Sequence, residues 1–339
     1  MKIAYVTPFD ALNRRNWSGT AYYMSKSLVD QSVSIEYIGP LSEYWSTFFK
    51  WKELIYLKLL RKRHLRVFEP SIRKGYAEQV AEKLSYTDPD VVLSTGVTPI
   101  SYLSCSQPVV FWADAAFAGM VDFYPEFSNL SKESINNGNQ AEQSALEKCK
   151  LAIYSSEWAA KTAIDNYRVD SSKVKVVPFG ANIEHNRTLK DTKNAVEARP
   201  SDSCKLLFLG VEWQRKGGET ALRVAKELNE QGLKTELTVV GCEPHINKPI
   251  PDFLRVFRFV SKSTASGRKQ LEELIAGSHF LILPTKADCF GIVLCEANSY
   301  GVPCLTTDVG GIPTIIKNDA NGRVFSIREE PSKYCEYIS

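Results

Sequence analysis

Residues 281–311 read LILPTKADCFGIVLCEANSYGVPCLTTDVGG, and the order of residue types in this stretch bears on fold and chemistry together. The apolar run Leu281-Ile282-Leu283 stops at Pro284-Thr285, as a strand buried on both faces of a parallel sheet does. Asp288 follows, Cys289-Phe290-Gly291 opens a helix, and Glu296 lies eight residues after Asp288. Such an arrangement presents two carboxylates and a helix N-terminus to one phosphosugar. Amides at Phe290, Gly291 and Ile292 are expected to point out of the first turn, where the helix dipole favours a diphosphate. Gly291 lets a ligand approach the backbone closely. Glu296 sits deeper in the helix and can accept two hydrogen bonds from a vicinal diol such as a ribose. Asp288 lies before the helix, where a sugar ring beyond the phosphates would hang. The plainer alternative is an ordinary strand-loop-helix unit, which does not require these features to coincide.

The same strand-then-helix rhythm runs through most of the chain. Strands are expected at Ile3–Pro8, Ser34–Ile38, Val91–Thr95, Val109–Ala113, Ala152–Ser155 and Val174–Pro178 in the first half. In the second half they fall at Lys205–Leu209, Glu236–Val240, Val256–Val260, Phe280–Leu283 and Pro303–Thr306. Helical patterns cover Gly19–Gln31, Tyr76–Leu84, Ala141–Cys149, Gly218–Asn229, Arg268–Ala276 and Ile292–Tyr300. This alternation predicts an α/β chain of two Rossmann-like doubly wound domains facing across a cleft. A polar stretch without periodicity separates the halves. The expected organisation is an N-terminal domain over 1–184, a linker over 185–203 and a C-terminal domain over 204–339.

At 339 residues the chain can build two good cores, and its 24% charged and 44% hydrophobic content is ordinary for a globular protein. A net charge of +3 gives no general argument for nucleic acid as a partner. No apolar run approaches the ~20 residues of a membrane span, and the first residues lack the pattern of a cleaved leader. The eight cysteines have no Cys-x-x-Cys spacing and the four histidines (64, 185, 245, 279) no metal-ligand spacing. No metal site is therefore expected, and a cytoplasmic location is. Residues 44–68 mix Trp, Phe and Leu with seven Lys and Arg. They read either as a peripheral membrane contact or as a solvated helix packed on the first sheet.

Three further turns carry candidate chemistry. Leu209–Gly218, LGVEWQRKGG, is a glycine-rich strand-to-helix turn in which amides and the Lys216 ammonium suit a diphosphate. A solvated basic turn is the alternative. Asn16–Thr20 joins the first strand to a helix through Gly19, a residue that any tight turn uses. Pro108–Asp114 is a buried strand ending in a carboxylate, which either caps the segment 115–120 or carries chemistry.

The motif Asp288-Cys289-Phe290-Gly291, then Glu296-Ala297, Gly301-Val302-Pro303 and Asp308-Val309-Gly310-Gly311, resembles the signature of retaining family 4 glycosyltransferases. That family usually has Glu where Asp288 stands. The resemblance covers nearly the whole chain, most specifically residues 174–322. It implies the B-type glycosyltransferase fold, with the donor held mostly by the second domain. It also implies transfer from a UDP- or GDP-linked sugar to a glycan, lipid-linked or small-molecule hydroxyl, with retention and without cofactor or metal. Polysaccharide or glycolipid biosynthesis is the implied setting. Lys216-Gly217 matches the family's Lys-Gly, Val211 occupies the place of its phosphate-binding Arg, and Arg215 is the expected replacement. Gly19 and Thr20 match its first loop, which approaches the donor, and Asp114 stands where many relatives carry His. Asp288, Lys216 and Asp114 are thus the expected catalytic set; Gly19, Thr20, Arg215, Phe290, Gly291, Ile292 and Glu296 are the expected donor contacts. Pro178–Asn182 resembles the family's hinge turn. Relatives end in helices that cross back to the first domain, and here these are expected to be short or missing. Two other readings stay open: a B-fold nucleotide-sugar epimerase, and a non-catalytic nucleotide-sugar binding module that the departures at Val211, Asp288 and Asp114 would allow.

Overall fold

The computed structural model describes residues 1–184, 187–246, 249–262 and 264–339. The chain divides into two compact units, Met1–Phe179 and Gly180–Ser339. In the first unit the strands are β1 Lys2–Val6, β2 Ser34–Ile38, β3 Val91–Ser94, β4 Val109–Ala113, β5 Leu151–Tyr154 and β6 Val174–Val176. Its helices are α1 Thr20–Asp30, α2 Ser46–Leu59, α3 Pro70–Thr87, α4 Phe117–Met120, α5 Lys132–Lys148 and α6 Glu157–Asn166. The second unit contains β7 Cys204–Leu209, β8 Thr235–Val240, β9 Leu254–Phe257, β10 Phe280–Leu283, β11 Cys304–Thr307 and β12 Gly322–Phe325. Its helices are α7 Leu189–Glu197, α8 Gly218–Glu230, α9 Ala265–Ala276, α10 Ile292–Ser299, α11 Ile312–Ile315 and α12 Pro331–Ile338.

Each unit is a parallel sheet of six strands, ordered β2-β1-β3-β4-β5-β6 in the first and β12-β11-β10-β7-β8-β9 in the second. Strand order reverses at β1/β3 in the first sheet and at β7/β10 in the second. Loops leaving two such strands diverge and open a crevice at their C-terminal ends. The central strands are apolar on both faces because helices cover both, and each unit has its own core. Val6, Val92 and Phe111 lie at the heart of the first, Leu207, Phe208, Ile282 and Leu305 at the heart of the second.

Some boundaries differ from expectation. Residues 185–203, expected to be a linker, belong to the second unit and carry α7, closed by a capping box between Thr188 and Asp191. Arg199 then reaches the carbonyls of Gly301, Tyr300 and Ala276, so the segment is fastened to the body of that unit. His185 lies outside the described residues. Residues Gly322–Phe325, absent from the expected strands, form a sixth one, β12, paired with β11. After it, α12 lies against α8, with the Cys335 thiol bonded to Val224 O. His279 ties two segments of the second unit together: Nδ1 accepts from Lys205 N at 2.9 Å and Nε2 donates to Pro200 O at 2.9 Å. All eight cysteines are free thiols. Among the described residues no helix is long and apolar enough to cross a membrane.

In the first core Glu142 of α5 is fully buried, accepting from Phe117 N at 3.1 Å and from Tyr154 OH at 2.7 Å. Burial pushes its carboxyl from 4.5 up to about 7, against the opposing effect of those two bonds. A folded-state value above the unfolded one means the neutral acid stabilises the fold at low pH, and that contribution is lost as pH rises through the folded value. The thermal midpoint should therefore carry a downward contribution between pH 4.5 and about 7, and Glu142→Gln should flatten that part of the profile. A Glu142→Gln profile parallel to that of the native chain would contradict this.

Candidate functional site

The second unit's switch point is where the expected donor residues meet. The loop after β7 leads into α8 and the loop after β10 leads into α10. They are fastened to each other by main-chain contacts, with Lys286 N donating to Arg215 O at 2.7 Å. Gly217 makes the approach possible. It is left-handed at φ 79°, and a Cβ there would stand 1.9 Å from Pro284 O at the end of β10. The close fit carries Lys216 to Asp288, whose Oδ2 lies 2.5 Å from the Lys216 Nζ. Residues far apart in sequence thus form a nearly buried ion pair at the mouth of the crevice.

Arg215, expected beside the diphosphate, is placed differently. Its Nη1 donates to Ala287 O at 2.7 Å and its Nη2 to Glu212 Oε1 at 2.6 Å, so the guanidinium is a strut between the two loops. Phe290 is also displaced from the expected role: α10 begins at Ile292, so Phe290 precedes even the N-cap, and its ring is buried. Gly291 is that N-cap, left-handed at φ 90°, and supplies no side-chain oxygen to the first turn. The helix start therefore keeps the positive end of its dipole for another partner.

Glu296, one turn into α10, has no exposed surface. Burial raises its pKa, opposed by Lys262 and by the Asn182 amide. Its Oε1 accepts from Lys262 Nζ, and its Oε2 is buried without a hydrogen-bond partner among the described residues. An unsatisfied buried polar atom costs on the order of 1–3 kcal/mol, which a ligand hydroxyl would recover. Lys262 is not among the residues expected in the site from the sequence. The available signal was a lysine just past the end of a parallel strand.

The first unit gathers polar groups at the same end of its own sheet. Trp17 and Ser18 have φ of 46° and 55°, and Gly19 follows at 84°, so the chain enters α1 through three left-handed residues. For non-glycine residues this costs on the order of 1–3 kcal/mol each and persists only where surroundings enforce it. Here the Trp17 indole donates from Nε1 to Asp114 at 3.2 Å and stands edge-on to Phe179 at 5.5 Å. Thr20, the first residue of α1, is buried. Asp114 does not cap α4, whose N-cap is Ala116 without a side-chain bond. On the strands flanking β4, Thr95 and Ser155 follow the last residues of β3 and β5. Their hydroxyls are buried and unpartnered among the described residues. Ser156 holds the cap of α6 instead, accepting from Ala159 N at 3.2 Å. In the sequence Thr95 and Ser155 stand out only as the last residues of the expected strands Val91–Thr95 and Ala152–Ser155.

Residues 190–339 match the family model described as glycosyl transferases group 1. The second unit is a glycosyl transferases group 1 domain. A D-inositol 3-phosphate glycosyltransferase of Streptomyces scabiei is 29% identical over 190 residues, covering 52% of this chain and 42% of its own length. One from Streptomyces coelicolor is 24% identical over 254 residues, covering 65% and 55%. The chain spans about half the length of the curated relatives it matches. Among solved structures, the lipopolysaccharide outer core galactosyltransferase WaaB in its apo form gives a TM-score of 0.62 at 14% identity, covering 100% of this chain and 89% of that one. Sucrose-phosphate synthase from Thermosynechococcus elongatus gives 0.65 at 13%, covering 100% and 88%. Anabaena HepE in complex with UDP and glucose gives 0.58 at 14%, covering 100% and 89%. These likenesses show the fold, the B-type glycosyltransferase fold.

The fit of the group 1 domain's two loops is open to a direct check. Gly217→Ala meets both a left-handed backbone and the Pro284 carbonyl, whereas Gly232→Ala meets a left-handed backbone at φ 92° with open space around it. The Gly232 change should cost about 1–2 kcal/mol, and the Gly217 change at least twice as much in denaturant unfolding. Equal losses would mean that the loops do not need the close approach.

Proposed function

We propose that the chain is a retaining glycosyltransferase that moves a sugar from a nucleotide-diphosphate sugar, UDP- or GDP-linked, to a hydroxyl of a glycan, lipid-linked or small-molecule acceptor. The observation that carries this reading is the Lys216–Asp288 pair at the switch point of a group 1 domain, beside the uncapped start of α10. The ammonium and the first-turn amides at Ile292 and Val293 meet the negative charge that grows on the leaving diphosphate, a fixed electrostatic complement. Asp288 releases Lys216 to the phosphates and takes the donor sugar's hydroxyls. Glu296 offers its free Oε2 to the ribose while Lys262 fixes the other oxygen. Arg215 positions the loops. Gly19 and Thr20 keep the donor-contact role that the resemblance implies.

The acceptor oxygen attacks the anomeric carbon on the face that the diphosphate leaves, the bond to the phosphate oxygen breaks, and a phosphate oxygen takes the acceptor's proton. No strong enzymic base is needed, which agrees with a carboxylate at position 114. Asp114, flanked by the unpartnered Thr95 and Ser155 hydroxyls, is suited to holding an acceptor polyol. A neighbour of this fold bound to UDP and glucose supports the donor class, and relatives named for an inositol phosphate acceptor support a hydroxyl acceptor. We assign the reaction to the cytoplasm, with residues 44–68 at a membrane surface.

A thermal-shift panel of nucleoside diphosphates and their sugars should single out one donor. With that donor, Asp288→Asn should lower turnover at least ~100-fold and leave nucleoside diphosphate affinity within a few-fold. Binding without turnover by the native chain on any acceptor would make it a binding module, and solvent deuterium entering the sugar ring would make it an epimerase. Because cationic groups of the chain neutralise the diphosphate, turnover should be unchanged by EDTA; its loss, restored by a divalent ion, would contradict that. Ser155→Ala removes an unpaired buried hydroxyl, so it should leave the thermal midpoint level or higher while raising the acceptor KM. A lower midpoint with an unaltered KM would show a packing role alone.

A further inference from the structure

Helix α2 has two unlike faces. Phe49, Lys52, Glu53 and Tyr56, at helical spacing, turn inward. Lys52 Nζ donates to Glu69 Oε1 at 2.6 Å and to Glu133 Oε1 at 2.7 Å, and Tyr56 OH to Glu133 Oε2 at 2.8 Å. His64 stacks on Tyr56 with ring centroids 4.6 Å apart and bonds Glu69 through Nε2 at 2.6 Å. Arg66 reaches Glu53 from its main-chain N and from Nη1. Burial alone would lower the Lys52 ammonium, but its bonds to Glu133 and Glu69 outweigh that and hold it above the ordinary lysine value. His64, Glu69 and Glu133 come close enough together to suggest a cation site, yet the Lys52 ammonium already bridges the two acids. The cluster locks the helix in one rotation.

That rotation leaves Phe48, Trp51, Ile55 and Leu59 in solvent, at spacings of three and four residues along one strip. Trp51 is 65% exposed and Leu59 76%. Trp45 and Leu60 extend the strip at its two ends and are also exposed. A strip this long and apolar on a surface helix marks an interaction face. Its margins are cationic: Lys50 and Lys58 on the helix, then Arg61, Lys62 and Arg63 just past it, all exposed. Between residues 44 and 63 the one acid is Glu53, which is turned to Arg66.

We propose that this outer face of α2 docks the first unit flat onto an anionic lipid surface. The inference deepens the membrane contact assigned above and rests on that reading. Charge complementarity selects the occupant. A second copy laid face to face would bring like cations together, whereas anionic headgroups neutralise them. Trp45 and Trp51 suit the boundary between headgroups and acyl chains, where indoles gather. Fourteen residues make a helix of about 21 Å, shorter than the ~30 Å hydrocarbon core, so it lies in the interface and does not cross.

The test is co-sedimentation of the full chain with vesicles of phosphatidylcholine alone or with about one third phosphatidylglycerol. Binding to the anionic vesicles should be at least tenfold tighter and should collapse near 1 M salt, where screening shortens to ~3 Å. Trp51→Glu with Ile55→Glu should cut it at least tenfold, and Lys50→Gln with Lys58→Gln should cut it with thermal midpoint unchanged. Stabilisation by nucleoside diphosphate, read in parallel without vesicles, should be the same in all variants, which separates failure of this proposal from failure of the transferase assignment. Absence of vesicle binding would overturn it, as would equal binding to both compositions. A native dimer in solution that the Glu variants dissolve would assign the face to a second copy instead.

Discussion

The Lys216–Asp288 contact is the constraint on which the candidate site depends. It joins the loops that follow β7 and β10, the two strands at which the second sheet reverses its order. Neither loop would reach the other if residue 217 carried a side chain, since the Pro284 carbonyl occupies that space. Backbone geometry at one glycine therefore decides whether a cation and a carboxylate share the mouth of one crevice. The rest of the candidate site is arranged around that contact: Arg215 braces the loops, Gly291 opens α10, and Glu296 lies one turn further along.

Polar groups held at a cost mark the ends of both sheets. In the second unit a buried Glu296 oxygen has no partner among the described residues, and in the first the Thr95 and Ser155 hydroxyls are in the same condition. Left-handed Trp17 and Ser18 add backbone strain beside Asp114. Cores tolerate few such groups, and strain of this kind concentrates where a ligand relieves it or where geometry must be held. Their common position past the C-terminal ends of parallel strands is where α/β sheets bind ligands. This coincidence ties the fold to the proposed chemistry more closely than any single residue does.

The sheets were largely legible in the sequence because central parallel strands, buried on both faces, must be written as short apolar runs. Phe280–Leu283 and Val109–Ala113 keep the bounds expected for them. Segments without that signature were misjudged. β12 is an edge strand with one neighbour and half-buried side chains, and it is missing from the expected strands. The first half of α5, from Lys132, has little apolar periodicity and is started by the Ser131 cap. α7 has only Leu189, Ala195 and Val196 as apolar residues, and its Thr188–Asp191 capping box lies inside the stretch expected to be a linker. In the site, Asp288, Lys216, Gly291 and Glu296 were readable from spacing. Lys262, Thr95 and Ser155 were not, because their importance comes from which strands lie side by side, and adjacency in a sheet is not written in local sequence.

The most direct measurement is a crystal structure of the chain with the nucleoside diphosphate that stabilises it most. The account predicts phosphate oxygens within hydrogen-bond distance of the Ile292 and Val293 amides and of Lys216 Nζ, with a ribose hydroxyl on Glu296 Oε2. A diphosphate bound elsewhere, with Lys216 still paired to Asp288 and Glu296 Oε2 still unpartnered, would contradict it.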